Sequence, residues 1–205
     1  MLVGVRIIAG AFRSRRLDAP AGLSTRPTSD RLRETLFNVL APKIQGAAFL
    51  DLYAGSGAVG LEALSRGAAH VTFVDRAQPA LKVLRGNLAG LGISAGFHID
   101  DGSVGAFLRA SIKDSSKSGK AGAKRGRYEV LFLDPPYDAA EEYETTLGLL
   151  GGAAAGVLHA DAVVIAEHRR KQRLEERYGL LERVRLLEQG DAALSFYAAA
   201  APAAD

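Results

Sequence analysis

The segment Asp51-Leu52-Tyr53-Ala54-Gly55-Ser56-Gly57-Ala58-Val59-Gly60 follows directly on the apolar Ala48-Phe49-Leu50, and no other junction constrains the fold as much. The glycines permit a sharp turn and a close approach of backbone to a ligand. The helix expected from Ala58 to Arg66 presents its N-terminus at the same place. Val71-Thr72-Phe73-Val74 reads as the next buried strand and ends in Asp75, twenty residues past Gly55. An acidic side chain at that position takes both hydroxyls of a ribose. Strand, glycine turn, helix and strand in this order predict a parallel pair joined by a right-handed crossover.

The alternation continues along the chain and predicts an α/β fold. Strands are expected at 48–53, 70–75, 95–99, 128–133 and 161–166, and helices near 58–66, 77–90, 103–112 and 140–151. Pro79 suits the first turn of the second of these helices. An antiparallel pair, about 181–188 and 193–199, closes the chain around Gln189-Gly190-Asp191. Upstream, Val5–Ala9 and Phe12–Leu17 read as two short strands joined at Gly10-Ala11. Thr28 is placed to cap a helix running to about Leu40, with Leu32, Leu36, Val39 and Leu40 as its apolar stripe and Arg31 and Arg33 elsewhere on its surface.

A chain of 205 residues with 48% apolar content is long enough for one such domain with a substantial core. It contains no cysteine, which excludes disulfides, thiolate metal sites and a cysteine nucleophile. The four histidines, His70, His98, His159 and His168, have no metal-ligand spacing and are expected as surface or strand-end residues, so no metal site is predicted. No apolar run approaches a membrane span and the first residues lack a signal-peptide pattern, in keeping with a cytoplasmic protein.

A second motif, Asp134-Pro135-Pro136-Tyr137, stands at the end of the apolar run Val130-Leu131-Phe132-Leu133. An acidic-Pro-Pro-aromatic turn makes a flat slot offering a carboxylate, backbone carbonyls with no proline N–H to compete, and an aromatic face. Those groups suit a planar nucleobase with an exocyclic amine: the carboxylate and a carbonyl accept from the NH₂ while the ring stacks on the base. The glycine pattern alone equally suggests a nicotinamide dinucleotide and a dehydrogenase. Two features argue for S-adenosylmethionine instead. Asp51, ahead of the glycines, would meet a pyrophosphate with like charge but could serve an ammonium, and an amine-binding slot has no obvious use in hydride transfer.

The net charge of +3 conceals an asymmetry. Residues 1–33 hold seven Arg against two Asp, net +5, and residues 113–127 hold six Lys or Arg against one Asp, again +5. The remaining chain therefore carries 3 − 10 = −7. Basic charge set in two segments around an acidic body is the pattern of a polyanion binder. In the first segment, Arg6, Arg13, Arg15 and Arg16 would project from a hairpin toward phosphates. The second segment is rich in Ser, Gly and Lys and is expected as a mobile loop, and the tail from Ala198 is expected to fray.

The chain resembles the RsmD-type family of small-subunit ribosomal RNA guanine-N2 methyltransferases. The resemblance rests on Arg6-Ile7-Ile8-Ala9-Gly10, Thr25-Arg26-Pro27-Thr28, Asp30 to Asn38, the Asp51 to Gly60 motif continuing to Ala68, and Asp134 to Tyr137, in the family's order. It implies a Rossmann-like class I methyltransferase fold with a mostly parallel seven-stranded sheet and an antiparallel C-terminal strand. An N-terminal RNA-binding hairpin and helix over 1–45 would accompany a methyltransferase domain over 46–205. In that architecture the carboxyl ends of the first and fourth strands, carrying Gly55 and Asp134, flank one crevice.

The implied cofactor is S-adenosylmethionine, held by Asp51, Tyr53, Ala54, Gly55, Gly57, Asp75, Arg76, Asp101 and Gly102. Asp100-Asp101 follows the third strand, and the register between the two is ambiguous by one; Asp101, beside Gly102, is preferred for the adenine. The implied catalytic set is Asp134, Pro135, Pro136 and Tyr137, and the implied RNA contacts are Arg6, Arg13, Arg15, Arg16, Arg26, Arg31 and Arg33. The implied partner is small-subunit ribosomal RNA, within a ribosomal particle, met by a monomer. The family's connection corresponding to 113–127 is usually shorter. An adenine-N6 methyltransferase of DNA or RNA would use the same slot, although nothing here resembles an added target-recognition domain.

Overall fold

The expected N-terminal strands are cut short, and the reason lies in where their backbone donors go. β1 (Val5–Arg6) pairs antiparallel with β2 (Arg16–Leu17), Val5 opposite Leu17 and Arg6 opposite Arg16. Beyond these two pairs only Ile7 still bonds across, its N–H donating to the Arg15 carbonyl and its own carbonyl accepting the Ser14 N–H, each at 2.9 Å. The N–H groups of Ile8 and Ala9 donate to the Glu62 carboxylate at 2.7 and 3.0 Å, and those of Ala11 and Phe12 donate to the carbonyl and hydroxyl of Ser65 at 2.8 and 3.0 Å. A buried backbone donor needs a partner, and here a helix supplies it in place of a strand. The computed structural model describes residues 5–19, 30–117, 127–136 and 139–200, with side chains of 113–117 outside that set. Arg26, Thr28, Tyr137, the basic stretch 118–126 and the tail beyond Ala200 lie outside the described residues.

The chain divides into two compact units, Met1–Val104 and Gly105–Asp205. In the first, α1 (Asp30–Ile44) carries Asp30 in its first turn and Lys43 in its last, both favourable to the helix dipole. Its buried stripe is Leu32, Leu36, Phe37, Leu40 and Ile44. Next come β3 (Ala48–Leu52), α2 (Ala58–Ser65), β4 (His70–Val74), α3 (Gln78–Leu91) and β5 (Phe97–Asp100). The three strands are parallel in the order β5-β4-β3, with Asp51 opposite Phe73 and Val74 opposite Asp100. This register brings the ends of all three strands to one edge. α4 (Val104–Lys117), whose residues from Gly105 onward belong to the second unit, runs five residues past the expected helix end, so the basic stretch begins as helix rather than loop.

The second unit holds β6 (Tyr128–Leu133), α5 (Glu141–Leu150), a 3₁₀ turn at Ala155–Val157, β7 (Leu158–Arg169), β8 (Arg177–Tyr178), β9 (Leu181–Gln189) and β10 (Ala192–Ala199). β7 runs parallel to β6, and the order is β6-β7-β10-β9-β8 with the last three joined antiparallel. β10 continues to Ala199 because it lies between β7 and β9, which corrects the expected fraying from Ala198. All seven expected strands are present, and the two-residue β8 adds another. The fold is Rossmann-like α/β, mostly parallel and closed by an antiparallel C-terminal strand. No helix among the described residues is long and apolar enough to cross a membrane.

Arg33 corrects a sequence expectation. It was placed on the surface of α1 as a phosphate contact, but its side chain is 0% exposed. It donates to the Arg6 carbonyl, meets Asp30 at 2.9 Å and lies 3.8 Å from Glu62. Glu62 is itself fully buried and also accepts from Arg66 at 2.7 Å, whose guanidinium lies 5.0 Å from the centre of the Phe37 ring. An ionic group in the core is tolerated because its partners are built in, and removing one leaves the others uncompensated at a cost of about 3–5 kcal/mol. Glu62→Gln is therefore expected to destabilise the protein by about 3 kcal/mol or more. Urea titration checks this, and an unchanged midpoint would show that the cluster does not hold the N-terminal segment.

Candidate active site

The turn after β3 is built from backbone conformations that most side chains avoid. Tyr53 has φ 63°, Gly55 φ 57° and Gly57 φ 79°. A non-glycine residue in this region costs of order 1 kcal/mol or more and persists only where the surroundings fix it. Ala54 N–H donates to the Val74 carbonyl at 3.0 Å, and Gly57 N–H to the Ala54 carbonyl at 2.8 Å, so the turn is tied to β4 and to itself. A Cβ on Gly57 would strike Leu84 Cδ1, so both the left-handed φ and the space require glycine.

Asp75 is the centre of this edge. One oxygen accepts the Gly55 N–H at 2.8 Å and the other accepts the Ala77 N–H at 2.8 Å. A carboxylate has about four acceptor sites, so two remain for a pair of hydroxyls. Asp75 N–H donates to the Asp100 carbonyl at 3.2 Å, which couples this residue to the end of β5. There, Asp100 Oδ1 accepts the Gly102 N–H at 3.2 Å, while Asp101 is exposed. Asp101 thus presents its carboxylate to solvent beside the same edge, and Asp100 is engaged in its own turn. Arg76, next to Asp75, is exposed.

Asp51 is tied to the first turn of α2. It is 2% exposed, and its Oδ2 accepts the Gly60 N–H at 2.9 Å. A side chain on Gly60 would collide with Phe73 and crowd Val71 and this same carboxyl oxygen, so Gly60 and Asp51 form one packed unit. Burial pushes the Asp51 carboxyl up to about 8; the Gly60 hydrogen bond pulls it down, and the nearby Asp75 charge raises it further. The residue builds the loop-to-helix junction.

Two residues that the sequence did not single out hold the site. Asn87, buried on α3, donates to the carbonyls of Ser56 and Asp18 at 3.0 Å each and accepts the Asp18 N–H at 2.8 Å. It therefore joins the glycine turn to the end of the N-terminal basic segment. Nothing in the run around Asn87 signals this. Glu62 left a signal, as the lone ionisable residue in the otherwise apolar Ala58–Ser65.

In the second unit, Asp134 follows β6 and is half-buried, Pro135 is buried and Pro136 is exposed. The Pro136 carbonyl accepts the Ala139 N–H at 2.9 Å, which closes the turn. His168, at the end of β7, is buried; it donates through Nδ1 to the Arg169 carbonyl and accepts at Nε2 from the Ser195 hydroxyl, each at 2.9 Å. Burial holds its pKa below the usual histidine range, so it is neutral and structural.

The expected RNA-contacting arginines divide. Arg6 is exposed but paired with Asp30 at 3.1 Å, and Arg15 donates to the Gly90 carbonyl at 2.6 Å. Arg13, Arg16 and Arg31 are exposed and carry no ion pair among the described residues.

Three strand ends at one edge, a strained glycine turn and an acid capping it are the arrangement at which Rossmann-like folds bind ligands, and among such folds this one is of the class I methyltransferase kind. The model of the family described as conserved hypothetical protein 95 matches residues 5–198. The chain belongs to that family, the RsmD-type family its sequence resembles. YlbH of Bacillus subtilis (strain 168), named as a proposed rRNA methyltransferase, is 35% identical over 94% of this chain and 98% of its own length. Ribosomal RNA small subunit methyltransferase D of Escherichia coli (strain K12) is 41% identical over 65% of this chain and 60% of its own length. Among solved structures, yhhF from Escherichia coli, described as a proposed methyltransferase, superposes with a TM-score of 0.78 at 33% identity. It covers 96% of this chain and 98% of the other.

The raised Asp51 pKa makes a prediction about stability. Between about pH 4 and 8 the unfolded chain has lost this proton and the folded chain retains it, so stability falls as pH rises through that window and levels off above it. Asp51→Asn removes the titrating group. The difference in unfolding free energy between the wild type and this variant should change steadily from pH 4 to 8, to the wild type's disadvantage. Parallel denaturation curves at every pH would show that Asp51 ionises normally in the fold.

Proposed function

We propose that this protein transfers a methyl group from S-adenosylmethionine to the exocyclic N2 amine of a guanine in small-subunit ribosomal RNA. The observation that carries the reading is Asp75. It is fixed by two backbone donors and has two acceptor sites left, at an edge where a glycine turn and the exposed Asp101 also lie. That set fits a nucleoside with a vicinal diol and an amino-purine. Membership of the RsmD-type family, and relatives named for rRNA methylation, support the substrate class.

When bound, S-adenosylmethionine supplies a methyl group already activated by its sulfonium. The chain's own residues then have to position and orient. Asp75 holds the ribose, Asp101 and the Gly102 backbone the adenine, and the turn from Tyr53 to Gly57 lies along the nucleoside, with Arg76 beside it. Asp51 acts by fixing that turn. The guanine N2 lone pair is delocalised into the ring and is a weak nucleophile. Hydrogen bonds from its N–H groups to Asp134 and to the Pro135 carbonyl favour a pyramidal nitrogen and aim the lone pair. Asp134 is also placed to take the departing proton. Pro136 keeps the turn rigid, and Tyr137 stacks on a base splayed out of its helix. Arg13, Arg16 and Arg31, with Arg26, hold phosphates and set register without reading sequence. The enzyme works as a monomer in the cytoplasm on RNA within a ribosomal particle.

Incubating the protein with labelled cofactor and unmethylated small-subunit particles, then mapping the modified base, tests the reading directly. A methyl group on adenine N6 would replace the guanine assignment, and no transfer to RNA would overturn it. Asp75→Ala should weaken S-adenosylmethionine binding by about 2–4 kcal/mol by calorimetry, because two charge-assisted hydrogen bonds are lost and their effects do not add fully. Unchanged affinity in a folded variant would remove the ribose assignment. Asp134→Ala should abolish transfer while leaving cofactor affinity within a few-fold, as its partner is the target amine. Near-normal turnover would make the Asp134 turn structural.

A further inference from the structure

The loop between β7 and β8 carries the sequence His168-Arg169-Arg170-Lys171-Gln172-Arg173. Its position follows from the register of the parallel β6–β7 pair, in which Leu133 lies opposite Ala166. The chain therefore leaves β7 at the same edge at which β6 gives way to Asp134-Pro135-Pro136. From Ala166 to Arg170 is four residues, roughly 13 Å along a strand.

The turn is held from inside. His168 donates to the Arg169 carbonyl and is fixed on its other side by Ser195, while Gln172 N–H donates to the Arg169 carbonyl at 2.9 Å. Arg170 N–H donates to the Asp191 carbonyl at 2.8 Å, tying the turn to the β9–β10 hairpin. Arg170, Lys171 and Arg173 are exposed, and none is in an ion pair among the described residues. The acids nearest in the fold and sequence are Glu175, Glu188 and Asp191, all exposed, and none pairs with these cations among the described residues; Glu176 is paired with Arg183. Three unspent cations on a backbone turn that is already ordered can take phosphates with little further loss of entropy. The N-terminal segment is less generous than its composition implied, because Arg33 is buried and Arg6 and Arg15 are engaged internally.

We propose that Arg170, Lys171 and Arg173 form an RNA backbone clamp beside the methyl-acceptor turn, binding phosphates that flank the target guanine. This rests on the reading of RNA as substrate. Charge selects an anionic polymer, and the loop's place at the edge of the Asp134 turn selects the substrate strand rather than a remote segment.

The test is the full chain with Arg170→Gln, Lys171→Gln and Arg173→Gln together, against a control on the exposed side of α3, Lys82→Gln with Arg85→Gln, which removes two exposed cations elsewhere. Binding and methyl transfer are measured on an in vitro transcript of small-subunit rRNA and on small-subunit particles from cells lacking the enzyme. Calorimetry with S-adenosylmethionine and a thermal melt show that each variant is folded. The triple variant should raise KM for RNA about tenfold or more with kcat within twofold, and the salt slope of binding should fall by about 2, at about 0.7 per single-stranded phosphate contact. Lys at 170 and 173 should restore most of the loss. Unchanged KM and slope, or an equal effect from the control pair, would overturn the clamp. Weaker binding to the particle with none to the free transcript would assign the loop to a protein surface and overturn it too. If the wild type methylates neither RNA, the proposed function fails by itself, and the salt slopes still decide on the loop.

Discussion

Glu62 is a fully buried carboxylate on which groups from three parts of the chain converge: the N–H donors of Ile8 and Ala9, Arg33 from α1 and Arg66 just past α2. Desolvating this charge costs several kcal/mol, which good geometry and full hydrogen bonding offset. The consequence is positional. The N-terminal basic segment cannot swing as a tethered arm, because its backbone donates to a buried acid on α2. The same acid orders Arg33, which in turn donates to the Arg6 carbonyl and faces Asp30. Hairpin, α1 and α2 are thus one polar assembly set in an apolar core.

The glycine turn follows the same logic on a smaller scale. Its unusual dihedral angles are imposed from outside: Asp75 takes the Gly55 N–H, Val74 takes the Ala54 N–H, and Asn87 takes a donor position against Ser56. Asp51 closes the far end on Gly60. A turn so constrained has little conformational entropy left to lose when a nucleoside binds, which is the physical meaning of preorganisation. Asn87 adds a connection of another kind, since its amide also bonds both backbone groups of Asp18. The last described residues of the basic segment and the glycine turn share one side chain.

Charge had to be read twice. Counting residues places the excess cations in the first 33 positions and in 113–127. In the fold, one arginine of the first group is interior and two are occupied by acceptors of the chain itself. The loop at 169–173 carries no comparable excess over a long window, because Glu175 and Glu176 follow it at once. Arg170, Lys171 and Arg173 are nonetheless exposed on an ordered turn, and availability rather than number decides what an anion meets.

The alternation of strands and helices, the glycine turn and the acids at the strand ends were legible in the sequence to within a few residues. Each depends on local causes: the period of apolar residues, the φ angles that only glycine adopts easily, and the punctuation of proline and glycine. The stop of β1 and β2 after two residues, the burial of Arg33 and Glu62, the inward turn of Asp51 and the bridge made by Asn87 were not legible. The bonds of Ala9, Ile8 and Asp18 span 53 to 69 positions, beyond any local window, and the bond of Asp51, though only nine positions long, is made to the Gly60 backbone N–H, which no side-chain pattern marks. The sequence by itself determined the fold class and the chemical inventory of the site. Only the tertiary structure decided which polar groups are consumed in holding the fold and which remain for a ligand, because that depends on which distant donors each acid and amide meets once the core has closed.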